Sequence, residues 1–167
     1  MPRSEIHTLS ATRLALAALV LAAATIAGAW GFQLIGGYMP CELCLEERIP
    51  FYAGIPILLV ALLALRQSHT AGSRLLLGLA AVVFLVGAGL GTYHSGVELG
   101  WWQGPDACTS DGEGATSVGD LLSQLQTVQV VRCDEVQWRF LGLTFANYNV
   151  LVSLALAGLS FLAARKA

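Results

Sequence analysis

Four long runs of apolar residues constrain the fold of this 167-residue chain more than any other feature. Each approaches the roughly 20 residues that an α-helix needs to cross the hydrocarbon core of a bilayer. The composition agrees, because 56% of the residues are hydrophobic and only 12% are charged, which is unlike a soluble domain. The sequence therefore predicts an all-α membrane protein, a single domain built as a four-transmembrane-helix bundle, with spans at residues 14–35, 49–65, 75–93 and 147–164.

The first run has an alternative interpretation as a cleaved signal peptide, because Ala27-Gly28-Ala29 resembles a small-residue cleavage site. The apolar stretch before this site is already long for a signal peptide, and it continues past the site. These two features favour a membrane span that is retained.

Four spans place both termini on the same side of the membrane, and the basic residues indicate which side this is. Cytoplasmic segments of membrane proteins are enriched in Lys and Arg. The outward segments 36–48 and 94–146 carry only Arg48, Arg132 and Arg139. We therefore expect cytoplasmic termini, on the side that holds Arg3, Arg13, Arg66, Arg74, Arg165 and Lys166.

The most informative motif is a pair of cysteines in the first outward segment. Cys41 and Cys44 are separated by two residues, a spacing typical of redox-active or metal-binding pairs, although a structural disulfide remains an alternative. Pro50 fits the first turn of the following helix. The N-terminus of that helix and Arg48 favour a thiolate at Cys44, whereas the neighbouring glutamates oppose it.

The other two cysteines, Cys108 and Cys133, lie in the long outward segment. All four thiols thus face the side of the membrane where disulfides persist. Four cysteines allow three pairings, and the sequence does not distinguish among them. Between these two cysteines, apolar residues at helical spacing from Val118 to Val128 predict a short amphipathic helix on the membrane surface or, alternatively, packed on the other outward loop.

Together these residues resemble the disulfide-bond formation protein B (DsbB) family of bacterial inner-membrane thiol:quinone oxidoreductases, over essentially the whole chain. The resemblance rests on Pro40-Cys41-x-x-Cys44 followed by Glu47-Arg48, and on the separated second pair of cysteines. It also rests on the stretch Cys133-Asp-Glu-Val-Gln137-Trp138-Arg-Phe140-Leu141-Gly142-Leu143.

The resemblance implies an electron relay in the bacterial inner membrane, with the cysteines facing the periplasm. A reduced periplasmic thioredoxin-fold oxidase (DsbA-like) attacks the Cys108–Cys133 disulfide, and Cys108 takes the mixed disulfide. Cys133 then exchanges with Cys41, and Cys44 faces a membrane quinone, of the ubiquinone or menaquinone type. The quinone accepts two electrons, and the Cys41–Cys44 disulfide forms again.

Three further residues are candidates for the quinone site: Glu47, Arg48 and His94. Arg48 matches an arginine that the family associates with quinone, and a guanidinium donates hydrogen bonds suited to a quinone carbonyl that gains negative charge. Its alternative roles are to reach the interface or to pair with Glu47. His94, at the outward end of the third span, is suited to donate a proton, or it is an ordinary interface histidine.

Other classes of protein fit the sequence less well. Vitamin K epoxide reductase-like enzymes carry their quinone-facing cysteine pair on the last span rather than before the second. A zinc site made of four cysteines requires two close pairs, and Cys108 and Cys133 are far apart. A structural membrane protein with two stapling disulfides is the remaining alternative. No basic run indicates a nucleic-acid partner.

Overall fold

The computed structural model describes residues 3–105 and 132–167, with side chains from residue 10 onward. Five helices and one short hairpin make up these two ranges. In chain order they are α1 (Arg3–Leu34), α2 (Glu42–Glu46), α3 (Ile49–Arg66), α4 (Thr70–Glu98), β1 (Arg139–Phe140), β2 (Leu143–Thr144) and α5 (Phe145–Lys166).

Four segments are long and apolar enough to cross a membrane: Ser10–Leu34, Glu42–Arg66, Thr70–Glu98 and Phe145–Lys166. Helix α4 packs against α3 and α5, and α1 packs against α3 and α5, so the helices form a bundle. Large apolar side chains such as Leu75, Val82 and Leu151 point away from the bundle and are exposed, as lipid-facing residues are. The prediction of a four-helix membrane bundle is confirmed.

The helices extend beyond the predicted spans. The third run was predicted over 75–93, but α4 covers Thr70–Glu98, so His94 lies within the helix rather than in the following loop. The first outward segment, 36–48, likewise contains the helical turn α2. Apolar runs mark the part of a helix that lipid surrounds, whereas polar residues at its ends continue the same backbone hydrogen bonding in the interface.

Small residues allow the helices to approach closely. Among the described side chains of α1, the completely buried ones are all alanines: Ala11, Ala15, Ala18 and Ala22. On α4, a Cβ atom at Gly91 would lie 2.9 Å from the side chains of Asn149 and Val150 on α5. Such close contacts between small residues replace the hydrophobic driving force that is absent in lipid.

A tight hairpin returns the chain to the last helix. Arg139 pairs with Thr144 and Phe140 with Leu143, and the two turn residues, Leu141 and Gly142, have φ angles of 51° and 82°. Thr144 then caps α5, because its hydroxyl accepts a hydrogen bond from the backbone of Asn147, whose side chain accepts one from the backbone of Thr144. The start of α5 is thereby fixed beside the outward segments.

The far ends of α1 and α5 meet at the opposite end of the bundle, where Lys166 donates a hydrogen bond to Ser10. The assignment of this end to the cytoplasm remains a prediction. Cys108 and the amphipathic helix predicted from Val118 to Val128 lie outside the described residues.

Gly91 and Gly89 provide a matched pair for testing the helix contact. We expect Gly91→Ala to destabilise the folded bundle by about 1–3 kcal/mol, because the added methyl group overlaps α5, including the backbone nitrogen of Val150. Gly89→Ala meets no atom within 4 Å and should leave stability nearly unchanged. Reversible unfolding in detergent, followed by helical circular dichroism, measures both, and equal effects of the two variants would contradict this packing.

Candidate functional site

The cysteine pair forms the first turn of α2, at the outward end of the bundle. Cys41 is the N-cap of this helix, and its sulfur accepts a hydrogen bond from the backbone N–H of Cys44 at 3.4 Å. Both side chains are free thiols, with their sulfur atoms 2.9 Å apart. The capping turn thus holds the two sulfur atoms close enough to form a disulfide after a small displacement.

A buried histidine and a buried glutamate support this pair. Nε2 of His94 lies 3.7 Å from Sγ of Cys41, and Nδ1 of the same ring lies 2.9 Å from Oε1 of Glu47. His94 is only 2% exposed and Glu47 is 7% exposed. The order thiol, imidazole, carboxylate is the arrangement by which a cysteine nucleophile is activated, since the carboxylate orients the ring and stabilises its protonated form.

Cys41 is therefore a stabilised thiolate. The Cys44 thiol, followed by the His94 ring, donates hydrogen bonds to its sulfur, and together these lower the pKa of Cys41 to about 5 although burial opposes the shift. The sequence pointed to Cys44 as the residue whose thiolate a helix N-terminus favours. The structure instead gives the capping position and the histidine contact to Cys41.

Cys133 is buried in the same cluster as Cys41. The cluster consists of Cys41, Leu43, Val97 and Cys133, which is 1% exposed. Cys133 is disulfide-bonded, whereas Cys41 and Cys44 are not, so neither of these two is joined to Cys133. A hydrogen bond from the side chain of Gln137 to the carbonyl oxygen of Met39, 2.9 Å long, fastens the segment after Cys133 to the loop before Cys41.

A cavity of about 440 Å³ opens beside the two thiols. Its volume lies within the usual range of small-molecule sites. Its polar lining residues include Cys41, Cys44, Glu47, Arg48 and His94. The rest of its lining combines small and aliphatic residues and further polar side chains with seven aromatic rings, those of Phe32, Tyr38, Phe51, Trp138, Phe140, Phe145 and Tyr148.

Arg48 is held at the edge of this cavity and is only 9% exposed. Its Nη1 donates a 2.8 Å hydrogen bond to Oε1 of Gln33, and its guanidinium lies 5.4 Å from the centre of the Trp30 ring. Among the described residues, Glu47 pairs with His94 and not with Arg48. The alternative of an Arg48–Glu47 ion pair is therefore wrong.

Comparisons with known proteins agree with this site. The family model described as disulfide bond formation protein DsbB matches residues 11–163. The chain belongs to the DsbB family. It is 31% identical over 147 residues to the disulfide bond formation protein B of Nitrosococcus oceani, covering 84% of this chain and 83% of that protein.

Two further relatives give the same result. The protein of the same name from Methylococcus capsulatus is 30% identical, with 84% of this chain and 85% of that protein covered. The one from Xanthomonas oryzae pv. oryzae is 30% identical, with coverage of 77% and 76%. No solved structure matches the chain. As a DsbB family member, the chain is a multi-pass membrane oxidoreductase with a role in disulfide bond formation.

Two residues at this DsbB family site were not singled out by the sequence analysis, namely Gln33 and Trp30. Both lie in the first apolar run. An amide side chain within an apolar run is a usable signal, because a polar group at membrane depth needs a partner. The partner, Arg48, follows 15 positions later.

The stabilised thiolate of Cys41 gives a pH-dependent prediction. A group with a lowered pKa is ionised above that value, so alkylation of reduced Cys41 by the small, uncharged reagent iodoacetamide should reach half of its maximal rate near pH 5. An ordinary cysteine reaches this point near about pH 8.5. Peptide mass spectrometry after timed quenching measures the rate at Cys41 alone.

His94, within α4, and His69, the N-cap residue of the same helix, supply the variant and its control. His94→Gln should move the midpoint for Cys41 to higher pH, because one donor to the thiolate changes from a ring N–H to a neutral amide. His69→Gln, at the other end of the helix, should leave it in place. An unchanged midpoint in His94→Gln would show that the histidine does not act on Cys41.

Proposed function

We propose that this protein re-oxidises a periplasmic DsbA-like thioredoxin-fold oxidase and passes the two electrons to a membrane quinone. The observation that carries the proposal is the position of the free pair Cys41 and Cys44. Cys41 shares a buried cluster with disulfide-bonded Cys133, and both Cys41 and Cys44 border the cavity. A relay needs a second disulfide from which the pair receives electrons and a site for the acceptor to which the pair passes them.

The first half of the relay is thiol–disulfide exchange. The reduced partner opens the Cys108–Cys133 disulfide by attack at Cys108, which releases Cys133 as a thiolate. Cys133 then attacks the Cys41–Cys44 disulfide at Cys41, so that a Cys41–Cys133 bond forms and Cys44 leaves as a thiolate. The second thiol of the partner attacks the mixed disulfide, which releases the oxidised partner and the Cys108 thiolate. Cys108 then attacks Cys133 of the Cys41–Cys133 bond, which restores the Cys108–Cys133 disulfide and leaves the Cys41–Cys44 pair reduced.

The arrangement of the described cysteines suits this exchange, because disulfide-bonded Cys133 lies in one buried cluster with Cys41. The stabilised thiolate of Cys41 supports this direction of transfer, because a disulfide becomes more oxidising when its reduced form is stabilised.

The second half removes these electrons, and the cavity suits a quinone. The aromatic rings in its lining suit a flat apolar ring, and Cys44, Arg48 and His94 all border it. A quinone held there supplies the capacity to accept two electrons and two protons. Arg48 is positioned to donate hydrogen bonds to an oxygen that becomes negative, and His94 holds a proton between Glu47 and the thiols.

This function agrees with the predicted topology. The cysteine pair lies at one end of the bundle, whereas Lys166 and Ser10 meet at the other. If the basic end is cytoplasmic, the cysteines face the periplasm of a bacterial inner membrane, where the partner oxidase is found and where disulfides persist.

The proposal is tested by anaerobic turnover in detergent with a reduced DsbA-like oxidase and a soluble ubiquinone analogue. The wild type should consume the quinone, as followed by its ultraviolet absorbance. Cys44→Ser should not consume it, but should still trap the partner as a mixed disulfide, because Cys108 and Cys133 are intact. Absence of quinone consumption by the wild type, or unchanged consumption by Cys44→Ser, would overturn the proposal.

Arg48→Ala separates the two half-reactions. A hydrogen bond from a charged donor is worth about 1.5–3 kcal/mol, so the variant should raise the quinone KM by about tenfold or more. Exchange with the partner should be nearly unaffected. The control is Arg66→Ala, at the opposite end of α3, which should change neither. Equal losses in both half-reactions of Arg48→Ala would indicate that Arg48 only supports the fold.

A further inference from the structure

Three side chains of the thiol site form a compact set of metal ligands. Among the described residues, Sγ of Cys41, Sγ of Cys44 and Nε2 of His94 all lie within 4.8 Å of one another. We propose that the reduced Cys41–Cys44 pair and His94 form a binding site for a thiophilic divalent cation, Zn²⁺ or its analogue Cd²⁺. This inference goes beyond electron transfer and does not depend on the identity of the electron acceptor.

The distances fit a tetrahedral ion. Zinc binds thiolate sulfur at about 2.3 Å and imidazole nitrogen at about 2.0–2.1 Å, so a sulfur and a nitrogen on the same ion lie roughly 3.6 Å apart. The observed distance between Sγ of Cys41 and Nε2 of His94 is 3.7 Å. The two sulfur atoms, 2.9 Å apart, need to separate by about 1 Å, which a modest χ1 rotation of Cys44 provides.

Glu47 supports the site through the far side of the His94 ring. A histidine that binds a metal commonly donates its other ring N–H to a carboxylate, which fixes the tautomer and orients the ring. Nδ1 of His94 lies 2.9 Å from Oε1 of Glu47, so Nε2 is the nitrogen left facing the two sulfur atoms. The carboxylate is buried and contributes negative charge beside the cation.

The cavity gives the ion an open coordination position. All three ligand residues border it, so a fourth ligand, such as water, can reach the ion from the cavity. Two cysteines, one histidine and an exchangeable fourth ligand are a donor set that suits zinc rather than hard cations such as Mg²⁺. Unlike a site made of four cysteines, this one needs neither Cys108 nor Cys133.

The oxidation state of the pair controls the site. Binding exchanges the thiol protons for the cation and leaves both sulfur atoms reduced, so no electrons are transferred. When Cys41 and Cys44 form a disulfide, neither sulfur is a thiolate and two of the three ligands are lost. The cation therefore binds only the reduced pair and blocks its oxidation while bound.

The experiment titrates Cd²⁺ into the full-length protein in detergent, following the ultraviolet absorbance of cadmium–thiolate bonds. Cys108→Ser and Cys133→Ser are combined in one background variant, which leaves Cys41 and Cys44 as the only thiols. After reduction and removal of the reductant, we expect one Cd²⁺ per chain, displaced by Zn²⁺. After oxidation of the pair with diamide, we expect none. Binding that is equally strong after oxidation would overturn the proposal.

Matched variants in the same background assign the ligands. His94→Ala should weaken Cd²⁺ binding strongly, whereas His69→Ala, at the N-cap of the same helix, should not. Glu47→Gln should weaken it by about 10- to 100-fold, and the neighbouring exposed Glu46→Gln should leave it unchanged. Helical circular dichroism verifies that each variant is folded. Unchanged affinity in folded Glu47→Gln and His94→Ala would reduce the site to an ordinary dithiol and overturn the proposal.

Discussion

The outward end of this bundle depends on the contact between Glu47 and His94. Both side chains are almost completely buried, and an isolated buried charge or an unpaired imidazole is costly at this depth. Because the two residues satisfy each other, α4 and the turn between α2 and α3 are held in one register. That register brings the imidazole to Cys41, so the same contact that joins the helices also sets the chemistry of the thiol.

Packing below this contact explains how lipid-exposed helices hold such a site in place. The alanine face of α1 and the close approach of α4 to α5 at Gly91 bring the helix backbones near one another, which leaves little space for relative sliding. Between these contacts, large side chains such as Phe84, Leu77 and Leu156 are completely buried and fill the core of the bundle. The functional cavity therefore lies at the end of the bundle, where the small-residue contacts give way to aromatic rings.

Much of this arrangement could be predicted from the sequence, and the exceptions have a common cause. Apolar runs and the spacing of Cys41 and Cys44 are local patterns, so the four helices and the thiol pair were recognised. The contact between Cys41 and His94 joins residues 53 positions apart, and no local pattern encodes it. Likewise, the predicted third span ended at residue 93 because the residues after it are more polar, although α4 continues to Glu98. Hydropathy reports where lipid surrounds a helix, and it does not report where the helical backbone ends.

The burial of Cys41 determines which molecules are able to exchange electrons with it. Only 4% of this residue is exposed, and its sulfur borders an apolar cavity rather than open water. A large, charged thiol such as glutathione has to lose its hydration to reach that sulfur, whereas Cys133 is already beside it. We therefore expect soluble thiols and disulfides to exchange slowly with Cys41 and Cys44, even where the thermodynamic driving force is large.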